Sequence, residues 1–86
     1  MDPFTVALPQ LEELIARLTP RQMEIVELLA RGHGNREIAA ILSISCETVK
    51  FHIRRARNKM QVENRIQLIV IFAMWKVIEN DVAPSG

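Results

Sequence analysis

The sequence predicts an all-α fold, a four-helix bundle with a short extra helix or linker in front of it. Apolar residues recur every three or four positions between successive turn residues, which is the period of a helix that buries one face. Capping residues and glycines mark the ends of these segments. The stretch from Ser45 to Met60 contains neither Gly nor Pro, so it can form one uninterrupted helix.

The size and composition are those of one small globular domain. The chain has 86 residues, of which 49% are hydrophobic, enough to form a core. Cys46 is the only cysteine, so the sequence predicts no disulfide framework and no zinc site, and it fits a reducing cytoplasm. The apolar run from Ile66 to Trp75 is shorter than the ~20 residues of a membrane span, and the first residues do not resemble a signal peptide.

The chain divides into four segments. Residues 1–5 match none of the later pattern, and we interpret them as a cloning remnant. Residues 6–17 place Leu11, Leu14 and Ile15 on one face, which predicts a short amphipathic helix or a lightly packed linker. The domain itself is expected over residues 18–79, and residues 80–86 are expected to form a flexible tail.

Local signals predict a helix-turn-helix in the middle of the domain. Thr19, Pro20 and Gln22 form the start of a helix with a capping box, and Gly32 ends it. Asn35 is the expected N-cap of a two-turn helix that ends at Leu42 and points Ile38, Ile41 and Leu42 inward. Only Ser43, Ile44 and Ser45 then separate this helix from the longer one, and such a short turn between two helices defines the motif.

The second helix of this motif, residues 46–60, combines a buried stripe with a basic face. The expected stripe consists of Cys46, Val49, Ile53, Ala56 and Met60. Five cationic residues against the single acid Glu47 give the helix a net charge of +4, although the whole chain carries only +1. Such a concentration of charge indicates a nucleic-acid contact, although the charge pattern alone fits a solvated basic helix equally well.

The last predicted helix starts at the cap Asn64, with Gln67 as its partner, and runs to about Glu79. It has two apolar rows, and a small domain has only one core to receive them. One row is Ile66, Val70, Ala73 and Val77, and the other is Leu68, Ile71, Trp75 and Ile78, with Phe72 beside it.

From Leu18 to about Ile78 the chain resembles the LuxR-type (GerE-type) DNA-binding domain of bacterial transcriptional regulators. The resemblance is carried by an ordered series of short motifs: Leu18-Thr19-Pro20-Arg21, Glu24-Ile25-Val26, Gly32, Asn35-Arg36-Glu37-Ile38-Ala39, Leu42, Ile44-Ser45, Thr48-Val49-Lys50, His52, Lys59-Met60, Val62 and Asn64-Arg65. It implies a sequence-specific domain that binds double-stranded DNA, without a cofactor, as the C-terminal part of a longer regulator. Such a protein is expected in the cytoplasm, associated with the nucleoid.

The resemblance also assigns roles to residues. It implies that Lys50, Phe51 and Arg54 read bases in the major groove, where Lys and Arg pair with guanine and Phe meets a thymine methyl. It places Asn35, Arg36, Thr48, Arg55 and Asn58 near phosphates, although Asn35 can be a cap alone and Thr48 can serve only to lock the turn. The chain departs from the family at Gln22, where Glu is usual, and at Gly34, which should make its loop more mobile.

The resemblance implies a homodimer, and the last helix offers an interface for it. If Leu68 and Phe72 face inward, the row formed by Ile66, Val70, Ala73 and Val77 remains exposed. A two-fold dimer would place two basic helices about one turn of DNA apart on an inverted repeat, and it could form only on DNA. The alternative is that this row packs against Leu11, Leu14 and Ile15 within one chain.

Other functions have less support in the sequence. An enzyme needs a cluster of reactive groups, whereas His33, His52 and Cys46 have no partners at a useful spacing. A sigma-factor domain that contacts promoters would share the motif, but such a domain normally needs neighbouring regions. A helical module that binds an acidic protein partner would share the basic face and would not bind duplex DNA.

Overall fold

The computed structural model describes residues 8–82, and these residues form five helices that surround a single core. The helices are α1 (Leu8–Ala16), α2 (Pro20–Ala30), α3 (Asn35–Leu42), α4 (Cys46–Met60) and α5 (Arg65–Val82). The predicted all-α fold is confirmed. Helix α5 continues three residues beyond the predicted Glu79, so residues 80–82 are helical rather than part of a tail. The proposed cloning remnant and residues 83–86 lie outside the described part of the chain.

Helix α1 is part of the core. Leu11, Leu14 and Ile15 are buried, and their helix contacts both α4 and α5. The apolar face of α1 therefore closes one side of the bundle, and the segment is not a lightly packed linker. The sequence allowed either a short amphipathic helix or a linker here, and the structure has the helix.

The core-facing sides of the remaining helices follow the sequence pattern, with local exceptions. Val49, Ile53, Ala56 and Met60 of α4 are buried as expected, and Cys46 is half-buried at the end of that stripe. In α5, Leu68, Ile71 and Phe72 face the core. The expectation for Ile41 is wrong, since 52% of it is exposed. In this short helix the buried residues are Ile38 and Ala39.

Helix starts are fixed by the predicted local hydrogen bonds in three of four cases. In α2, Thr19 Oγ1 accepts the Gln22 amide at 3.1 Å, and Gln22 Oε1 accepts the Thr19 amide at 3.0 Å. Ser45 Oγ accepts the Thr48 amide at 3.0 Å at the start of α4. Asn64 Oδ1 accepts the Gln67 amide at 2.9 Å at the start of α5.

The fourth helix start, that of α3, differs from the prediction. Gly34 is the N-cap, and Asn35 is the first helical residue. Glu37 reaches back to accept the Gly34 amide at 3.1 Å and lies 3.5 Å from His33 Nδ1. Two hydrogen bonds hold the pKa of the Glu37 carboxyl below its ordinary value. The bond from the Gly34 amide has the larger effect, and the bond to His33 has the smaller one. Because Gly34 and not Asn35 is the N-cap, the side chain of Asn35 is available for a different contact.

Three helices end with a residue in the left-handed conformation. Gly32 has φ of +98° after α2, which glycine adopts without steric cost. Ser43 after α3 and Gln61 after α4 adopt φ of 57° and 56° although both carry a side chain. At each end the next amide reaches back to a carbonyl five residues earlier, from Ile44 to Ala39 and from Val62 to Arg57. These bonds turn the chain sharply, and the turn at Ser43 sets the direction in which α4 leaves α3.

Candidate nucleic-acid interface

Helix α4 presents its polar face to solvent along its whole length. The three predicted base-reading residues, Lys50, Phe51 and Arg54, are all exposed, and 48% of Phe51 is accessible. An accessible phenylalanine on a basic helix is available to contact an apolar group such as a thymine methyl. The structure therefore brings these three residues together on one open surface.

The charged groups on this face differ in how they are held. Lys50 Nζ lies 3.5 Å from Glu47 Oε1, and both side chains are exposed. The Arg55 guanidinium lies 5.5 Å from the centre of the Phe51 ring, which restrains both side chains. Within the described residues Arg54 makes no ion pair, so all its donors are available to a ligand.

The far end of α4 is tied to the start of α2. Lys59 Nζ donates to Gln22 Oε1 at 3.0 Å, and Arg17 Nη1 donates to the Lys59 carbonyl at 3.0 Å. Gln22 is buried, and its side-chain oxygen also accepts the Thr19 amide. This one oxygen therefore both caps α2 and links α2 to the end of α4. Sequence reasoning identified the cap but missed the link, because 37 residues separate Gln22 from Lys59.

The predicted phosphate-contacting residues occupy two kinds of environment. Arg36, Arg55 and Asn58 are exposed. Thr48 is half-buried, and its Oγ1 lies 2.8 Å from Oγ of Ser45, the residue that caps α4. Asn35 is half-buried, and its Oδ1 accepts a 2.6 Å hydrogen bond from Arg65 Nη2.

Two arginines missing from the predicted set lie beside this face. Arg57 and Arg65 line a pocket of about 240 Å³ together with Asn35, Lys50, Ile53 and Arg54. The sequence did contain a signal for each, since Arg57 flanks the basic arc of α4 and Arg65 belongs to the Asn64-Arg65 motif. Neither signal shows that the start of α5 comes to lie next to α4.

The predicted dimer row is largely uncovered in the described part of the chain. Ile66 is 71% exposed, Val77 is 59% exposed, Ala73 is exposed and Val70 is half-buried. A depression of about 310 Å³, lined by Ala73, Met74, Val77 and Ile78, lies along the same side of α5. The buried residues of α1 leave most of this row open, although α1 packs on α5.

Other chemistry has little support among the described residues. No group of three or more His, Cys, Asp or Glu side chains is arranged to hold a metal ion in residues 8–82. None of the five described helices is both long and apolar enough to cross a membrane. Cys46 is a free, half-buried thiol, and Nδ1 of His52 is buried without a hydrogen-bond partner in this part of the chain.

A short helix, a tight turn and a longer helix with an exposed basic face are the features of a helix-turn-helix DNA-binding domain. Comparison with known proteins then identifies the family. Residues 16–72 match the profile of the bacterial regulatory proteins of the luxR family, and the chain belongs to that family. It carries the family's DNA-binding domain, as the resemblance implied.

Similar proteins with curated names are response regulators. The chain is 40% identical over 70 residues to the response regulator protein VraR of Staphylococcus saprophyticus, covering 81% of this chain and 34% of the relative. VraR of Staphylococcus aureus strain Mu3 and VraR of Staphylococcus epidermidis are each 41% identical over 67 residues, covering 78% of this chain and 32% of the relative. The chain thus spans about a third of the length of these relatives. No solved structure matches it.

Proposed function

We propose that this chain is the DNA-reading end of a longer bacterial transcription regulator and that α4 enters the major groove to recognise a specific sequence. The observation that carries the proposal is the placement of Lys50, Phe51 and Arg54 on one exposed face of a helix whose opposite face is buried. Three similar proteins are named response regulators, and a control segment elsewhere in the full protein fits the partial coverage.

Base reading is divided among three side chains. Arg54, which has no ion pair in residues 8–82, is suited to bind guanine O6 and N7 with two donors. Lys50 offers a second cationic donor one turn earlier, and its Nζ lies 3.5 Å from Glu47 Oε1. Phe51 contributes apolar contact with a thymine methyl, and the Arg55 guanidinium lies over its ring.

Phosphate contacts fix the register of α4. Arg36, Arg55 and Asn58 are exposed and offer side-chain donors to the DNA backbone. Thr48 can take part despite its bond to Ser45. If the Ser45 hydroxyl donates to Thr48 Oγ1, the hydroxyl hydrogen of Thr48 remains available for a phosphate oxygen. Asn35, at the start of α3, contributes indirectly, because its Oδ1 accepts a 2.6 Å hydrogen bond from Arg65 Nη2.

Dimerisation is proposed through the α5 row formed by Ile66, Val70, Ala73 and Val77. Exposed apolar rows usually mark partner surfaces, and a two-fold axis through such a row pairs it with itself. One helix face offers a small interface, below the ~1,200 Å² typical of stable complexes, so we expect the domain to pair on DNA. The two α4 helices then read an inverted repeat with half-sites ~10 bp apart.

The remaining expectations follow from this role. We propose that the chain acts by binding rather than by catalysis, that it needs no cofactor, and that it works in the cytoplasm on nucleoid DNA. A purely protein-binding module would share the basic face of α4 but would show no affinity for duplex DNA. A sigma-like promoter-contacting domain would recognise single sites without two-fold symmetry.

Selection of bound sequences from a pool of random duplexes tests the proposal directly. We expect enrichment of a motif with two inverted half-sites and with guanines at the positions that Lys50 and Arg54 contact. Enrichment of a single asymmetric site would refute the dimer. The absence of any salt-dependent binding to duplex DNA would refute the DNA-reading role.

A further inference from the structure

The first residues of α3 and α5 meet the side of α4 at a strongly basic pocket. Its volume is about 240 Å³, and its lining residues are Asn35, Lys50, Ile53, Arg54, Arg57 and Arg65. Four of these six side chains carry a positive charge and none is acidic. Like charges in a confined space repel each other, so the pocket is electrostatically complementary to an anion.

Hydrogen bonds to neutral groups fix the two arginines that the sequence did not assign. Arg65 Nη2 donates to Asn35 Oδ1 at 2.6 Å, and Arg57 Nη1 donates to the Glu63 carbonyl at 3.2 Å. In the described part of the chain neither guanidinium forms an ion pair. The Nε atom of Arg57 is buried and has no hydrogen-bond partner there. Each arginine is therefore oriented while most of its five donors and its full charge remain uncommitted.

The backbone adds to the positive potential of this pocket. Asn35 is the first residue of α3 and Arg65 is the first residue of α5, so two helix N-termini border the same space. Each N-terminus carries a partial positive charge, which at the start of α3 is partly offset by the Glu37 carboxylate that accepts the Gly34 amide. Fixed arginines together with helix N-termini form the combination that recognises phosphate groups in proteins.

We propose that this pocket binds one phosphodiester group of the DNA backbone, with Arg57 and Arg65 as its contacts and Asn35 as the residue that positions Arg65. The inference rests on the proposed function, in which α4 lies in the major groove. Lys50, Arg54 and Arg57 follow one another along one side of α4 and span ~10 Å of its length. Bases then lie at the Lys50 end, and the adjoining phosphate lies at the Arg57 end.

The first test replaces Arg65 by Gln and compares it with Arg31→Gln. Arg31 is an exposed arginine at the C-terminal end of α2. It pairs with Glu27 and does not line the basic pocket. Each of the two variants loses one positive charge. Binding to a random-sequence duplex is measured over a range of salt concentrations. We expect Arg65→Gln to lower the salt slope by about one, which is roughly fivefold weaker binding near ~0.15 M salt. Arg31→Gln should leave the slope close to that of the parent chain.

Equal slopes for the two variants would overturn the phosphate contact while leaving DNA binding itself intact. A parent chain that binds no duplex would instead refute the proposed function and, with it, the phosphate assignment. The two failures are therefore distinct.

A second variant, Asn35→Asp, separates a binding role from a structural one. The new carboxylate keeps the contact with Arg65 and sits in the first turn of α3, where a negative charge is favourable. We expect the thermal midpoint to be retained or raised while duplex binding falls about tenfold, because the carboxylate repels a phosphate and neutralises Arg65. Undiminished duplex binding by this variant would overturn the proposal even if Arg65→Gln failed to fold.

A third measurement distinguishes DNA phosphate from a free anion. The thermal midpoint is followed as sodium phosphate replaces sodium chloride at constant ionic strength. We expect only a weak effect of inorganic phosphate, because the pocket supplies one of several contacts to DNA. A large increase of the midpoint that Asn35→Asp abolishes, with duplex binding unchanged in that variant, would identify a free-phosphate site and overturn the DNA assignment.

Discussion

Arg54 and Arg55 are adjacent in the sequence and carry the same charge, yet α4 gives them different surroundings. Arg54 is exposed and forms no ion pair in residues 8–82, whereas Arg55 lies over the Phe51 ring. Arg54→Ala should reduce affinity for the preferred duplex by ~1–3 kcal/mol and relax the preference at one base position. Arg55→Ala should weaken binding to all duplexes about equally and lower the salt slope by about one. Titration of each variant with selected and random duplexes measures both effects.

Each arginine is the control for the other in this experiment. If Arg54→Ala weakens binding to selected and random duplexes by the same factor, then Arg54 contacts phosphates and does not read a base.

At the residue scale, sequence reasoning succeeded where the partners are close in the chain. The caps Thr19, Ser45 and Asn64 form because each bonds to an amide three residues ahead, and such patterns are visible in the sequence. The bond between Asn35 and Arg65 spans 30 residues and could not be predicted. It exists only because helix packing brings the starts of α3 and α5 together.

At the scale of the elements, α4 is anchored through its buried stripe. Ile53 lies at the centre of this stripe and is buried against the core. Ile53→Ala should lower the free energy of unfolding by ~2–4 kcal/mol, through lost burial and the cavity left behind. Ile66→Ala removes the same atoms from an exposed position and should change stability by no more than ~0.5 kcal/mol. Chemical denaturation of both variants provides the comparison, and equal losses would show that the α4 stripe is not part of the core.

The turn between α3 and α4 is strained at Ser43, whose φ is 57°. A side chain in the left-handed region is unfavourable, and glycine removes the clash, so Ser43→Gly should stabilise the chain by ~0.5–1 kcal/mol. For a domain of this size the midpoint should rise by a few degrees, about 4–8 °C per kcal/mol, in a thermal unfolding scan. Ser43→Ala keeps the clash and should give no increase. A midpoint that rises equally for Ala and Gly would point to the serine hydroxyl, not the backbone, as the source of the effect.

The sequence indicated which face of most elements is buried, but not how deeply. The period of three to four residues identified the inner faces of α4 and α5, because a long helix must place such a stripe in the core. For α1 it left two alternatives open, because three apolar residues fit a loosely packed linker as well as a core helix. It failed for Ile41, since two turns of helix contain too few residues to define a face. Depth of burial depends on neighbours elsewhere in the chain.

For the whole molecule, the open side of α5 predicts association on DNA. Val77→Glu puts a charge into the exposed row and should abolish cooperative binding to a duplex with two half-sites, since an unpaired charge is costly to bury in an interface. Binding to a single half-site and the unfolding midpoint should be unchanged. Val77 is a better choice than Val70, because Val77 is exposed whereas Val70 is half-buried.

Ala16→Glu, which adds the same charge at an exposed position of α1, is the matched control. Cooperative binding that survives Val77→Glu and falls with Ala16→Glu would move the interface from α5 to α1.

The anchoring of α4 at both ends has a thermodynamic consequence. Ser45 caps its start, the Gln61 turn closes its end, and Lys59 is bonded to both Gln22 and Arg17. The helix is thus fully formed before it meets DNA, and association does not require the conformational entropy that a segment folding on its target must lose. Calorimetry should accordingly yield a heat-capacity change that reflects only the surface buried between protein and duplex, without the larger negative value that accompanies coupled folding.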